Sequence, residues 1–517
     1  MSRLTSGLTA CLLLAPLALT AHSQDSKPPA KESPSAFASI EDTVVTHRLD
    51  NGWTFLIAPR HKAPVVSFHT YIDVGAIFEN DGATGMAHMF EHMAFKGSDR
   101  IGTTNWPEEK AALDELESAY LQYQQASAGG NDEVANDALS RFRSAQERAG
   151  SFVDGEAFSK VLGEAGGSDS LNASTSAEET RYVVSLPSNR VELWAWLERE
   201  RFARPVLREF YKERDAVLEE RRMRVDSDPF GSLLEAMFGT AFTKHPYRRP
   251  VIGYADDLQR YTRTEAEAFY AKNYGVQRFV TAIVGDVDPK ELIPLLDRYF
   301  GDLPAGPKPT TVDIVEPRQK KERRVEVTFP AMPIVMASWH IPALSAPDYA
   351  ALDLGLYILC QAETSRLDMA LVRGTGQTVE IGGISGLPGD RHPNLALIYA
   401  IPAQGVATEE LEKAIYAQID KFIAEGPTEA ELAGARTTAR AGLIRQVASN
   451  ETFAADLCEW QSKTGDWKNL FRRTEAYKNV TTAEIQAAMA RYFTKSNRTV
   501  ATLVLPAPPA QETEEAK

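Results

Sequence analysis

Gly85-Met86-Ala87-His88-Met89-Phe90-Glu91-His92-Met93-Ala94-Phe95-Lys96-Gly97 carries two histidines and a glutamate in the order H-x-x-E-H. His92 follows His88 by four residues, so on a helix the two imidazoles stand one turn apart on one face and can offer two nitrogens to one metal ion. Glu91 lies on nearly the same face, within reach of a water on that ion. The order is the inverse of the H-E-x-x-H helix of zinc proteases. Taken alone, the stretch fits a surface helix with two solvated histidines equally well, and its surroundings have to discriminate.

A chain of 517 residues exceeds one ordinary core and predicts two large domains. Its formal net charge of −15 argues against nucleic acid, whose phosphates need a basic surface. Arg3, the apolar run Leu12 to Leu19 and the small residues flanking His22 read as a secretory signal peptide over 1–23. That run is too short to span a bilayer, and no later stretch is long enough, so an exported, periplasmic-type soluble protein is expected. Leu8-Thr9-Ala10-Cys11 looks like a lipoprotein box, but the apolar segment follows Cys11 instead of preceding it, so lipidation is not expected. Residues 24–41 read as a flexible leader and 507–517 as a flexible tail. Cys360 and Cys458 remain after signal removal, and a disulfide or two buried thiols are both open.

Thr43 to Ala58 alternates apolar and polar residues around Asp50-Asn51-Gly52, a strong hairpin signal. Val65 to Val74 is a second β-rich run. Trp106-Pro107 opens a helix with Leu113, Leu116, Tyr120 and Tyr123 at helical spacing; Gly129-Gly130 breaks it, and Ala135, Ala138, Phe142 and Ala145 mark a second. This predicts a helical hairpin inserted near 107–150. Leu171 to Leu186 returns to strand character, and Arg190 to Arg204 and Arg208 to Arg224 are helical. Leu303 to Arg324, rich in Pro and Lys, is the linker candidate. Beyond it the pattern restarts, with strands at Val325 to Phe329 and Ile334 to Ile341 and a long helix from Asp348. Thr481 to Phe493 followed by Arg498 to Leu505 echoes Thr262 to Tyr274 followed by Arg278 to Val284, which suggests a duplicated unit. The expected fold is α+β, with two homologous lobes at 42–302 and 325–506 joined by a linker at 303–324. Each lobe is a mainly antiparallel sheet packed with helices, the whole forming half of a clamshell.

Catalytic zinc takes three protein ligands and keeps a fourth position for water. With His88 and His92 as two, the third is sought on the helix through Glu213, Glu219 and Glu220. Glu213 and Glu220 are two turns apart on one face, so one could bind metal and the other orient a ligand imidazole. An acidic solvated face fits the same residues, and spacing does not choose between Glu219 and Glu220.

The spaced motifs together resemble the pitrilysin/insulinase family of zinc metallopeptidases, in particular its short two-domain, mitochondrial-processing-peptidase-like members. The resemblance rests on Leu49-Asp50-Asn51-Gly52, the H-x-x-E-H stretch, Leu171-Asn172-Ala173 with Thr175-Ser176, and Glu213-Arg214-Asp215 followed by Glu220. His245-Pro246-Tyr247, Val251-Ile252-Gly253, Gly285-Asp286-Val287, Ser365-Arg366-Leu367 and Pro427-Thr428-Glu429 continue it in order, from about Asp42 to Pro506. It implies one zinc per chain on His88, His92 and Glu220, with Glu213 as the partner that orients the site. Glu91 is then the base that takes a proton from water and passes it to the leaving amine. Asn172 and Ala173 would hold the backbone of a peptide added as an extra strand, and Arg373 would support the peptide.

The chain departs from the family pattern in its second half. A tyrosine is expected seven residues after Arg373, and Glu380 stands there. A homodimer would therefore present Arg373 and Glu380 to the partner's zinc, so a heterodimer with a related, metal-free chain is the preferred expectation. The resulting reading is an exported zinc endopeptidase that cleaves peptides or unfolded segments inside a closed chamber. A non-catalytic or weakly active subunit used for peptide binding or assembly is the alternative. A zinc hydrolase of small molecules is disfavoured by the edge strand and the two-lobed body.

Overall fold

Asp50-Asn51-Gly52 reverses the chain, and Val45–Arg48 (β1) pairs antiparallel with Thr54–Pro59 (β2). Gly52 takes φ 98°, the left-handed region that favours glycine at such a turn. The Asn51 side chain is buried, donating to the carbonyls of Phe300 and Leu303 and accepting from the Trp53 amide. The hairpin is thereby pinned to the helix Pro289–Phe300, some 250 residues away in sequence.

The computed structural model describes residues 37–167 and 169–506. The signal peptide at 1–23, the leader up to residue 36 and the tail at 507–517 lie outside the described residues. The chain divides into two units, Met1–Thr43 and Val44–Lys517. In the first, Ala38–Glu41 is a short helix where a flexible leader was expected, with the Ile40 and Glu41 amides donating hydrogen bonds to the Phe37 carbonyl.

In the second unit, β1 and β2 join Val65–Ile72 (β3), Asn172–Thr175 (β4), Thr180–Pro187 (β5) and Phe279–Gly285 (β6) in one sheet of order β1-β2-β6-β3-β5-β4. Arg323–Thr328 (β7), Ile334–Ile341 (β8), Thr378–Leu387 (β9), Asn394–Pro402 (β10) and Arg498–Val504 (β11) form the other, in the order β7-β11-β8-β10-β9. Without β1, the two orders are the same permutation. Each sheet has one parallel pair in the same place, β2 with β6 and β7 with β11, and the remaining pairs are antiparallel. The fold is α+β, with two mixed sheets packed by helices.

The sequence echo falls on equivalent elements. Thr262 and Thr481 each close a capping box with a glutamate three residues on, and the strands that follow, β6 and β11, hold the same position in their sheets. Buried along its whole length, β6 is apolar except for Thr281, whereas burial alternates along β5. The long helix expected from Asp348 is regular only over Tyr349–Leu356 and then widens into a π-turn at Tyr357–Gln361.

Four helices carry or brace the site, Met86–Met93 (α1), Trp106–Ala128 (α2), Asp132–Gly150 (α3) and Phe210–Arg221 (α4), and two more, Pro229–Ala241 (α5) and Asn450–Thr464 (α6), tie the two halves together. Each half lends one helix to the other half's sheet. From the first half, α5 sets Leu233 and Met237 against Met336, Ala501 and Leu503 of the second sheet. From the second half, α6 lies on β3 and β6, with the Cys458 thiol donating to the His69 carbonyl at 3.2 Å. Cys360 and Cys458 are both free and buried.

The helical hairpin is more than a surface appendage. Tyr120 of α2 and Phe142 of α3 pack against Tyr211 of α4, with ring centroids 4.1 and 5.3 Å from it, and the Tyr211 hydroxyl donates to Glu117 at 2.6 Å. It braces the helix that carries Glu213 and Glu220.

Trp53 sits at the centre of the first core, fully buried among Phe55, Phe202, Phe279 and Phe300, its indole donating to Thr281 at 3.0 Å. Trp53→Ala is expected to destabilise the protein by about 3–5 kcal/mol in a denaturant titration. A change below about 1 kcal/mol would show that this core can collapse around the loss.

Candidate metal centre

The start of α1 is set by two glycines packed back to back. Gly85 has φ 89° and Gly253 φ 88°, and a Cβ on Gly85 would meet the Ile252 carbonyl oxygen at 2.6 Å. The buried Glu79 carboxyl group accepts from the Gly85 and Ala87 amides at 2.8 Å each and so satisfies two of the helix's free donors, while burial pushes its own pKa up to about 8 against those hydrogen bonds. Met86, Met89, Phe90 and Met93 face the core, which leaves Glu91 and His92 half-buried on the other side.

Against this face lies α4, and the two helices bring His88, His92 and Glu220 together, with one ligand-type atom of each within 4.8 Å of the others. Glu220 Oε2 is 3.7 Å from His88 Nε2 and 3.4 Å from His92 Nε2. Bonds of about 2.0–2.1 Å to a tetrahedral zinc place neighbouring ligand atoms about 3.4 Å apart, so the spacing fits that ion. Glu219 turns outward, half-exposed and paired with Arg222. Spacing left Glu219 and Glu220 equivalent; in the fold Glu220 faces the histidines and Glu219 faces solvent.

His92 Nδ1 is 3.5 Å from Glu213 Oε2, so the same ring points one nitrogen at Glu213 and the other at Glu220. Glu213 Oε1 in turn receives the Lys96 ammonium at 2.5 Å, and Glu220 Oε1 receives Arg224 at 2.9 Å. Each carboxylate thus holds one oxygen toward an imidazole and the other on a cation. Burial alone would lower the His92 pKa, but hydrogen bonding to Glu213 and Glu220 draws it up to about 9. Against the opposing effect of burial, His92 and Lys96 hold Glu213 down at about 2. Burial, with His92 as a second cationic neighbour, keeps His88 at about 4, in the neutral form a metal ligand needs.

Glu91 accepts from the Thr175 hydroxyl at 2.7 Å through Oε2, and burial raises its pKa. Thr175 belongs to β4, which among the described residues pairs only with β5 and forms the edge of the first sheet. Asn172 is exposed on this strand, and its Oδ1 accepts from the Ala173 amide at 2.9 Å. Glu91, His92, Asn172, Ala173 and Glu213 line one cleft of about 770 Å³.

Arg373 is not among the residues lining that cleft. It is exposed in the second half, its guanidinium on Asp368 at 2.6 Å and on the Glu363 carbonyl at 2.9 Å. Glu380, near the start of β9, accepts from the Tyr399 hydroxyl at 3.1 Å. Sequence reasoning gave no role to Thr175, Lys96 or Glu209. Lys96 one turn after His92, and Glu209 one turn before Glu213, were the available signals.

Two family models match the chain. Insulinase (Peptidase family M16) covers residues 54–126, and Peptidase M16 inactive domain covers residues 260–439. The zinc protease PqqE of Helicobacter pylori is 26% identical over 416 residues, 78% of this chain and 80% of that protein. The crystal structure of a protease from Helicobacter pylori superposes with a TM-score of 0.75 at 23% identity, covering 89% of this chain and 99% of that one. The periplasmic protease PqqL from Escherichia coli gives a TM-score of 0.66 at 16% identity, with 90% of this chain matched to 48% of that one. On matches to both family models and to relatives named zinc proteases, this chain belongs to the pitrilysin/insulinase family, peptidase family M16.

Proposed function

We propose that this chain is an exported zinc endopeptidase acting on peptides or unfolded segments. The observation that carries the reading is the meeting of His88, His92 and Glu220 beside Glu91, with the unpaired edge of β4 on the same cleft. His88, His92 and Glu220 would hold one zinc ion, and Glu213 would fix the His92 ring through its second nitrogen. Bound there, zinc would lower the pKa of a water and polarise the scissile carbonyl.

Glu91, whose Oε2 accepts from Thr175, would use its other carboxylate oxygen to take a proton from the attacking water and pass it to the leaving amine. Substrate lies along β4 as an added strand, held by main-chain hydrogen bonds near Asn172 and Ala173. Such binding is tolerant of sequence, which suits unfolded segments. In this reading the catalytic lobe runs over 42–302, including the hairpin near 107–150, and the second lobe over 325–506. The periplasmic location, after removal of 1–23, is supported by a structural relative described as a periplasmic protease; among the described residues no helix is long and apolar enough to cross a membrane.

A second chain closes the chamber, preferably a related metal-free one that supplies the arginine and tyrosine this chain lacks as a pair. The alternative of a non-catalytic subunit draws on Glu380 and on the match of residues 260–439 to the inactive-domain model. Peptide cleavage before and after chelation separates the two. Cleavage should fall to background when zinc is removed and return when it is restored, whereas cleavage unaffected by chelation would end the zinc reading. If the chain, free of any co-purifying partner, cleaves at full rate, the heterodimer is wrong.

A further inference from the structure

Lys96 lies just past the end of α1, yet its ammonium is committed to the other helix. It is 2.5 Å from Glu213 Oε1 and 2.9 Å from Glu209 Oε2, with the side chain largely buried. Glu209 is the residue before α4 and takes φ 55°, the one described non-glycine residue at positive φ. Holding a glutamate there costs on the order of 1 kcal/mol or more, and something must repay it. The conformation places Glu209 one turn before Glu213 on the same face, so that both carboxylates converge on Lys96.

The surroundings are built for this contact. A Cβ on Gly155 would come within 3.0 Å of Glu209 Oε2, so the glycine leaves room for the carboxylate. Lys212 takes the other Glu209 oxygen at 2.9 Å. Beyond Glu213 the chain of contacts continues to His92 Nδ1 at 3.5 Å.

We propose that Lys96 is a positioning residue that preforms the metal site: clamped between Glu209 and Glu213, it locks the start of α4 to the end of α1 and aims Glu213 at His92 before any metal arrives. This rests on the metal-site reading above. It differs from a merely structural ion pair in its consequence. Without Lys96, Glu213 is free to swing away, His92 loses the partner that fixes its ring, and zinc binding has to pay for ordering it.

The test is zinc affinity of the full-length purified chain, measured by competition with a chromogenic chelator, together with thermal unfolding of the metal-free protein. Lys96→Met should weaken zinc binding by about 10–100-fold, the range for loss of a partner that orients a ligand. Lys96→Arg, which can also bridge two carboxylates, should recover most of it. In a Glu213→Gln background, Lys96→Met should cost little more, because Lys96 acts through Glu213. If Lys96→Met does not fold, Glu209→Gln releases one end of the clamp and should still weaken zinc binding about 10-fold. Wild-type zinc binding with unchanged affinity in these variants overturns this inference alone. A wild-type chain that binds no zinc overturns the metal-site reading and the inference with it.

Discussion

Glu91→Gln is expected to bind zinc at wild-type stoichiometry and to lose about 10²–10⁴-fold in kcat/KM on an unstructured peptide. The substitution keeps the side chain's size and an acceptor for the Thr175 hydroxyl, which now sits 2.7 Å from Oε2, so the local fold has no reason to change. What it removes is the oxygen that can take a proton. Burial raises the Glu91 pKa, which brings it nearer the operating pH and makes it a better base than a solvated glutamate. Thr175 fixes one oxygen and leaves the other for water. Retained turnover in this variant, at normal zinc content, would remove Glu91 from the mechanism.

Glu220→Gln should do the opposite and fail at the metal. Its carboxylate supplies the negative charge between two imidazoles, 3.4 and 3.7 Å from their nitrogens, and an amide there is a weaker, neutral donor. Affinity should drop by more than the roughly 10–100-fold that losing an outer hydrogen-bonding partner costs. Wild type should also gain thermal stability on adding zinc, about 2.7 kcal/mol when free zinc is 100 times Kd, and Glu220→Gln should not. Glu219→Gln is the control. That side chain is half-exposed and paired with Arg222, so zinc binding should be untouched. Normal affinity in Glu220→Gln, or its loss in Glu219→Gln, would move the ligand.

Much of this architecture is legible in the chain because it is local. The Asp50-Asn51-Gly52 turn, the helical spacing of the two histidines, the hairpin helices and the capping boxes at Thr262 and Thr481 all involve neighbours in sequence. The repeated ending of the two halves pointed to a duplication, and the strand orders match once β1 is set aside. Exchanged helices are another matter. Cys458 reaches His69 across 389 residues, and Ser338 reaches Met237 across 101, and an apolar helix face does not announce whose sheet it will cover.

The site divides in the same way. Spacing alone places His88 and His92 on one helix face and Glu213 and Glu220 on another, without showing that the two faces meet. Facing separates Glu220 from Glu219, and that depends on how α4 is rotated by Tyr211 and the hairpin beneath it. Lys96 was in plain view beside the motif, but its partner Glu209 comes 113 residues later, in a backbone conformation that sequence does not signal. A larger network went unread for the same reason. Lys463 contacts Asp390 at 2.6 Å and Glu459 at 2.8 Å, and the Arg391 amide donates to Glu178 at 3.0 Å just beyond β4. Each of these residues alone looks like ordinary surface charge, and their common burial gathers them where the second half meets the end of the edge strand.

The most direct test is diffraction from crystals of the full chain grown with zinc, recorded on both sides of the zinc absorption edge. The account predicts one anomalous peak per chain, within bonding distance of His88, His92 and Glu220 and no other protein side chain. A peak elsewhere, or none in a chain whose three side chains are ordered as described, would contradict it.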